Sequence, residues 1–441
     1  MIYNVEDRPK FGANLVFAFQ QLLAIIAATL LVPVLVNSAQ DTIVMDQAAA
    51  LFGAGVGTLV YILFTKRRSP VFLGSSFAFI SPLIGAAGCG FLGSIIGTAF
   101  AAAVYVVIAI VIKLVGTGWV DKLMPPVIIG PTVALIGLSL CGSAVNNLNN
   151  TAVSADNYNL VAILCGVITF TVTVIASAKG NKTMKLIPFI IGILAGYVSA
   201  SIFTVIGNVA DIDYLKLIDY TPLTTMTNIF RLPEFTVVNA INGNAGIGVT
   251  ASDVINLLVL FAPVALVVFA EHIADHKNLS SVIGRDLIKD PGLDKTLLGD
   301  GVGSLAGAVF GGCPNTTYGE AVGCVAISGN ASIYTTITTA LMCMVVAFLN
   351  PVVQFINTIP SCVVGGVCIA LYGFIAVSGL KMLHDVDLGD NNNLFVVSAI
   401  LVPGIGGLSL TFGRITISPI ATALILGIII NCILKIGKKA K

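Results

Sequence analysis

Charged residues are scarce in this sequence of 441 residues: Asp, Glu, Lys and Arg together make up 10%, whereas hydrophobic residues make up 57%. The mean hydropathy is +1.00. A water-soluble domain of this size needs a far more polar surface, so the composition excludes one and predicts a polytopic membrane protein. The net charge of +1 provides no basic field, so we expect no nucleic-acid partner.

Residues that hold metals or cofactors are few, or are spaced unsuitably. Two of the 3 histidines, His272 and His276, lack the HExxH order because Ile273 follows the first of them. The 9 cysteines form no CxxC pair and fall mostly in or beside apolar runs, as small buried hydrophobes do. No pairing of a nucleophile with a base is visible either. We therefore expect no metal, no cofactor, no disulfide and no enzyme activity.

Apolar runs predict an all-α fold with about fourteen membrane-spanning segments, since a span needs about 20 apolar residues. The short polar N-terminus lacks a positive region leading to a cleavage site, so we expect the first run to remain as a transmembrane helix. The predicted segments are 13–36, 44–64, 71–85, 91–114, 125–148, 160–178, 184–206, 254–275, 296–310, 311–328, 333–349, 352–378, 394–408 and 415–436.

The basic residues predict the orientation of these segments, because cytoplasmic loops are enriched in Lys and Arg. With the N-terminus in the cytoplasm, all but Lys216, Arg231 and Arg414 of the 22 basic residues fall inside. This asymmetry supports an even number of spans. We therefore expect a multi-pass protein of the cytoplasmic membrane with both termini cytoplasmic.

A weak internal repeat relates the two halves of the chain. MPPVIIGPTVALIG resembles TIPSCVVGGVCIALYG, with Pro125 matching Pro360 and Gly130 matching Gly365 at one offset. Seven predicted spans separate the copies, and since seven is odd, the copies must lie in opposite orientations. The pattern predicts two inverted repeats of seven spans.

Two polar interruptions occupy corresponding places in the two halves, GSSFAFISP at 74–82 and GGCPNTTYGEAVG at 311–323. Pro314 and the glycines weaken a regular helix, and the carboxylate of Glu320 at membrane depth costs several kcal/mol. Paired broken segments indicate the binding site of a transporter. We expect short antiparallel strands plus half-helices at the midplane, where they bind a small polar solute.

Glu271 is a second carboxylate within an apolar stretch, in a chain with only four glutamates. Asp275 lies one turn further on the same helix face. A position at the end of a span is the simpler explanation, but the run LLVLFAPVALVVFA before Glu271 places it inside the helix. Because removal from water disfavours a charged carboxyl group, the site can exchange protons.

The stretch AEHIADHKNLSSVIGRDLIKDPGL, followed by GCPNTTYGEAVG, closely resembles the uracil permeases of the nucleobase/ascorbate transporter family. The resemblance extends to FQQLLAIIAATLLVPVL in the first span and to GTGWVDKLMPP before the fifth. It implies a homodimer that moves nucleobase with protons. It also implies a core domain of residues 1–115 and 251–350, and a gate domain of residues 116–250, with an extracellular loop, and 351–441.

Carried onto this sequence, the resemblance implies that uracil is bound by Glu271 and Glu320. The backbone of Gly319 and the side chain of Phe77 complete the site, and Ala28 lies nearby. Phe77 is able to stack on a planar ligand, although packing is the commoner role of an aromatic residue in a membrane helix.

The sequence departs from the family pattern at three places. Asp275 replaces a histidine often found there, so the implied proton relay consists of Glu271 and Asp275. Ala321 replaces an asparagine, and Ser328 and Gly329 replace a Thr-Arg pair.

Two alternatives to uracil import remain open. A xanthine or uric acid transporter would share the fold, although glutamate rather than glutamine at position 320 favours a pyrimidine. An anion exchanger or channel of a related fold would want cationic groups at the site, whereas the predicted core spans contain a single Lys or Arg, Lys113 at the predicted cytoplasmic end of 91–114.

Overall fold

The structure is a computed structural model that describes residues 1–40, 45–149, 159–235, 237–238, 249–412 and 415–435. Four predicted features fall wholly or partly outside the described residues. They are the start of the second span at Val44, part of the extracellular loop (236 and 239–248), Arg414 on the outside, and the chain end from Ile436 onward.

Helices form most of the described chain. In the first half they are α1 (Phe11–Ser38), α2 (Gln47–Phe64), α3 (Ile80–Ala86), α4 (Gly90–Val115), α5 (Gly118–Leu123), α6 (Pro126–Ser139), α7 (Cys141–Asn149), α8 (Leu160–Lys179), α9 (Lys182–Leu186), α10 (Pro188–Ala210) and α11 (Thr221–Thr224). In the second half they are α12 (Ala251–Ile283), α13 (Leu293–Val309), α14 (Gly319–Ser328), α15 (Ile333–Val346), α16 (Asn350–Asn357), α17 (Ser361–Lys381), α18 (Asn391–Ile405) and α19 (Pro419–Lys435).

Eight helical stretches of the described chain are long and apolar enough to cross a membrane alone, and α14, α15, α18 and α19 are shorter apolar helices. A multi-pass membrane fold is therefore confirmed, while the count of fourteen spans stays a prediction. The prediction of one continuous span at 352–378 was wrong, because two separate helices, α16 and α17, cover these residues. Pro360 precedes α17 with extended backbone angles of φ −69° and ψ 149°, so the helix is interrupted there, and proline favours such a break because it lacks the backbone N–H that a helix interior uses.

The two broken segments have the predicted form. Strand β1 (Leu73–Ser75) pairs antiparallel with β2 (Asn315–Thr317), with Gly74 opposite Thr316. A 3₁₀ turn and α3 follow β1, and α14 follows β2 directly. All six strand residues are buried, and each strand satisfies part of the other's backbone, which is the requirement for extended chain at membrane depth.

Helices in corresponding positions of the two halves also face each other. A Cβ atom on Gly53 of α2 would lie 2.8 Å from the carbonyl oxygen of Gly307 in α13, and one on Gly57 would lie 2.8 Å from that of Gly303. Because the later residue of α2 meets the earlier residue of α13, the helices are antiparallel. Only glycine permits this approach.

The helices that follow the two matched prolines repeat this arrangement. A Cβ atom on Gly137 of α6 would lie 2.3 Å from the carbonyl oxygen of Tyr372 in α17, and one on Gly379 would lie 2.2 Å from the backbone nitrogen of Ala134. These helices are antiparallel too. Both helix pairs and the strand pair therefore show the opposite orientation that inverted repeats require.

The main hydrophobic core surrounds the paired strands. It joins α1, the residue before β1, α4, α6, α12 and α17 through fully or nearly fully buried side chains, which include Ile25, Phe72, Tyr105, Ile129, Phe261 and Leu371. Polar groups of the broken segments thus lie in a region of low dielectric constant, where hydrogen bonds are strong and unpaired polar groups are costly.

A further pair of strands lies before the last helix. Strand β3 (Leu410–Phe412) pairs antiparallel with β4 (Ile415–Ile417), and β4 leads into α19. The last predicted segment therefore begins as a strand and becomes helical only at Pro419.

Candidate functional site

The hydroxyl groups of β2 face the acidic surface of α12. Thr316 Oγ1 donates a hydrogen bond of 3.3 Å to Glu271 Oε2, and Thr317 Oγ1 donates one of 2.7 Å to Asp275 Oδ2. The two carboxyl groups lie one helical turn apart, and the two threonines are consecutive. This arrangement ties the helix that carries the acids to the broken segment.

Glu320 approaches the same place from the start of α14. It lies in the first turn of that helix, immediately after Gly319. The first backbone N–H groups of a helix have no partner within it and point outward with a partial positive charge. The site thus combines carboxyl oxygens, which accept hydrogen bonds, with N–H groups, which donate them.

These groups surround one small cavity of about 30 Å³. Its lining includes Phe77, Glu271, Asp275, Gly319 and Glu320, so the structure brings together five of the six residues predicted for binding and proton coupling. The remaining lining residues are Val133, Thr316, Thr317, Tyr318, Phe374, Ile375 and Ser378.

Ala28, the sixth predicted residue, is fully buried in α1 and is not among the cavity-lining residues. Its proximity to a bound solute stays a prediction. Phe77 is 6% exposed, and its ring packs edge-on against Tyr372 of α17, with the centroids 5.7 Å apart. The ring therefore has a structural contact as well as a place in the cavity wall.

Residues of both the predicted core domain and the predicted gate domain line the cavity. Glu271 and Glu320 belong to the predicted core, whereas Val133 of α6 and Phe374 and Ser378 of α17 belong to the predicted gate. A solute bound in this cavity would contact both sets.

One buried acid near the cavity helix α12 was not predicted from the sequence as a functional residue. Asp300 of α13 is fully buried, and its Oδ2 lies 2.7 Å from His272 Nδ1. His272 Nε2 lies 3.0 Å from Thr296 Oγ1. A carboxylate four residues into a predicted apolar span is the signal that could have found Asp300, by the same logic that selected Glu271.

A chain of hydrogen bonds connects Ser69, Tyr61 and His276 to the backbone of His272. Its Nδ1 lies 2.7 Å from the carbonyl oxygen of His272, and because a carbonyl only accepts, this nitrogen donates. Its Nε2 then accepts from the Tyr61 hydroxyl at 2.7 Å, which in turn accepts from Ser69 at 2.7 Å. Both ring nitrogens of His272 and of His276 have hydrogen-bond partners, so these histidines serve as hydrogen-bonding groups between α12, α13 and α2.

A cavity lined by three acids at the junction of two broken, antiparallel segments, inside a multi-pass helical fold with inverted halves, defines a membrane transporter. The chain belongs to the family of the uracil permeases, the nucleobase/ascorbate transporters. The family model Xan_ur_permease, described as "Permease family", matches residues 12–412.

Curated relatives match over nearly their whole length. The chain is 38% identical to the uracil permease of Bacillus caldolyticus over 98% of this chain and 94% of that protein. It is 36% identical to the uracil permease of Bacillus subtilis (strain 168), over 99% and 95%. It is 31% identical to the uracil permease of Escherichia coli (strain K12), over 98% and 94%.

Solved structures share the fold at low sequence identity. SLC26A9 superimposes with a TM-score of 0.64 at 12% identity, over 96% of this chain and 64% of that one. The transmembrane domain of the cyanobacterial bicarbonate transporter BicA superimposes with a TM-score of 0.56 at 15% identity, over 98% and 100%. These similarities confirm the transporter fold.

Proposed function

We propose that this protein imports uracil together with protons across the cytoplasmic membrane. The observation that supports this most directly is the cavity in which Glu271, Asp275 and Glu320 meet the start of α14. Support for the substrate comes from the relatives, which are named uracil permeases and align over nearly the whole chain.

The chemistry of uracil suits the groups in the cavity wall. Its N–H groups are donors and its carbonyl oxygens are acceptors, on the edge of a flat ring. Glu271 and Glu320 accept from the N–H groups, and the backbone N–H groups at Gly319 donate to a carbonyl oxygen. Phe77 covers a ring face. Three of the four polar atoms of uracil thereby gain a partner when they leave water, which lowers the cost of burying them.

Proton coupling is assigned to Glu271 and Asp275. Two carboxyl groups one turn apart in a buried place repel each other when both are charged, so the pair takes up a proton more readily than isolated acids in water. The hydroxyl groups of Thr316 and Thr317 hold the two acids against the strand that leads to Gly319. Protonation and solute binding thus act on one connected unit.

Transport follows by movement of the core domain, residues 1–115 and 251–350, against the gate domain, residues 116–250 and 351–441. The cavity has walls from both, so separating them on one side opens it to that side. Solute and proton favour the state that can reorient, because they contribute binding energy to it. Both termini face the cytoplasm, and the protein works as a homodimer.

Uptake of labelled uracil into proteoliposomes, with excess unlabelled xanthine in parallel, tests the substrate. We expect that unlabelled uracil reduces the uptake of labelled uracil and that xanthine does not. Competition by xanthine moves the assignment to purines. An absence of uracil uptake by protein that is folded and inserted contradicts the proposal.

The shared fold with transporters of anions motivates a second candidate, an anion exchanger. Its site would need cations, but the residues that line the cavity in the described part of the chain include three acids and neither Lys nor Arg. Chloride or bicarbonate exchange in the same proteoliposomes, in the absence of uracil, would be the result that favours it.

A further inference from the structure

A polar pocket of about 480 Å³ lies at the end of the core where the chain begins, away from the cavity described above. Four segments converge on it: the N-terminal residues, the turn after α2, the turn after α12 and the start of α15. The residues that line it are Glu6, Lys66, Arg67, Arg68, Arg285, Asp290, Ile333 and Tyr334.

The N-terminal segment is a fixed wall of this pocket. The backbone nitrogen of Ala331 donates to the Tyr3 carbonyl at 2.9 Å, and that of Ile333 donates to the Val5 carbonyl at 2.9 Å. Glu6 follows directly, and its side chain accepts a hydrogen bond from Arg285. The pocket is therefore built from groups that are held in place by backbone pairing.

The two acids of the pocket are already engaged. Arg285 bonds both Glu6 and Asp290, and Arg68 Nη1 bonds Asp290 at 2.8 Å. These hydrogen bonds from Arg68 and Arg285 lower the pKa of Asp290, so it is ionised at neutral pH. Lys66 and Arg67 form no ion pair with any residue that the structure describes, and the pocket keeps two uncompensated positive charges.

The backbone places these two cations side by side in an unfavourable conformation. Lys66 has φ +52° and Arg67 has φ +60°, in the left-handed region that glycine or asparagine adopts at lower cost. Their backbone nitrogens close the end of α2 by donating to Leu63 and Ile62. The orientation of the membrane spans explains why basic residues lie near their ends. It does not explain why Lys66 and Arg67 adopt left-handed backbone angles or why they line one pocket with Arg285.

We propose that this pocket binds a phosphate group, carried either by an anionic lipid headgroup or by a soluble phosphate compound. The guanidinium of Arg67 and the ammonium of Lys66 supply the charge and the donors that phosphate oxygens accept. A basic pocket at the ends of membrane spans lies at the depth of lipid headgroups. The assignment does not depend on uracil being the transported solute.

The test measures the melting temperature of the purified full-length protein in a neutral detergent. Short-chain phosphatidylglycerol, short-chain phosphatidylcholine or inorganic phosphate is added in increasing amounts, and the unchanged protein is compared with two variants. The pocket variant is Lys66→Asn combined with Arg67→Asn, since asparagine tolerates the left-handed backbone. The matched control is Lys179→Asn with Lys182→Asn, which removes two exposed charges from the facing ends of α8 and α9, predicted on the same side.

A saturable rise of several degrees, kept in the control and lost in the pocket variant, is the expected result. A rise with phosphatidylglycerol alone assigns the site to lipid, and a rise with inorganic phosphate as well assigns it to soluble phosphates. Equal rises in both variants, or no rise with any of the three compounds, would overturn the proposal. If the pocket variant has a low melting temperature even without added compounds, native mass spectrometry provides an independent measurement of how many phosphatidylglycerol molecules each protein binds.

Discussion

Thr317 Oγ1 lies 2.7 Å from Asp275 Oδ2, and the hydrogen bond joins a strand of three residues to a helix of 33. Thr317 is two residues before Gly319 and three before Glu320. A shift of β2 is therefore transmitted to the acidic face of α12, and protonation of α12 is transmitted to β2. This bond connects the strand that leads to Gly319 and Glu320 with the second acid of the proposed proton pair.

Replacement of Thr317 by valine tests this connection. Valine keeps the shape but loses the hydroxyl group, and since a buried hydrogen bond contributes about 0.5–1.5 kcal/mol, we expect uracil uptake to fall about two- to tenfold. Thr317→Ser, which keeps the hydroxyl, should restore most of the uptake. Initial uptake rates across a range of uracil concentrations and pH values measure the effect, and equal rates for the valine and serine variants would contradict it.

Glu271→Gln tests the proposed role of Glu271 in proton coupling. Glutamine cannot release a proton, so we expect accumulation of uracil against its gradient to disappear. Exchange of labelled for unlabelled uracil, which needs no net proton movement, should persist at a reduced rate. Glu234→Gln is the control, because that glutamate has a half-exposed side chain in the loop before α12. Normal accumulation by Glu271→Gln would remove this residue from the coupling mechanism.

Glu320→Gln tests the contact with the solute. A carboxylate offers acceptors only, whereas an amide offers one acceptor and presents N–H donors to the donors of uracil. The loss of one charge-assisted hydrogen bond predicts an apparent affinity for uracil lower by about 10- to 100-fold. Competition by xanthine should rise relative to uracil. Unchanged affinity, measured by uptake in proteoliposomes, would exclude Glu320 from the binding site.

Gly53→Ala tests the packing of the inverted halves. The added methyl group would lie 2.8 Å from the Gly307 carbonyl oxygen and 2.9 Å from the Gly312 Cα atom, and backbone on both sides must give way. We expect destabilisation by about 1–3 kcal/mol. Gly142→Ala in α7 meets nothing within 4 Å and should be neutral or slightly stabilising. Thermal unfolding in detergent distinguishes the two, and equal melting temperatures would refute the close approach.

Local sequence was sufficient to predict the broken segments and most of the cavity. Pro314, the glycines around it and Glu320 each violate the requirements of a membrane helix, and the violations cluster within a few residues. The opposite orientation of the halves followed from the matched prolines at 125 and 360, and the antiparallel contacts of α6 with α17 confirm it.

Pairings between distant residues were beyond sequence reasoning. Thr317 and Asp275 are 42 residues apart, and His272 and Asp300 are 28 apart. Nothing in their own neighbourhoods specifies these partners, because each contact depends on how α12, α13 and β2 pack. Asp300 also lies among glycines in LLGDGVGSLAG, a composition typical of a loop as much as of a span.

Accumulation of labelled uracil in proteoliposomes with an imposed inward proton gradient is the decisive test of proton-coupled uracil import. We expect uptake above equilibrium that collapses when a protonophore is added and that excess xanthine does not reduce. Accumulation that continues unchanged with the protonophore, or uptake that only equalises the two sides under every gradient, would contradict proton coupling.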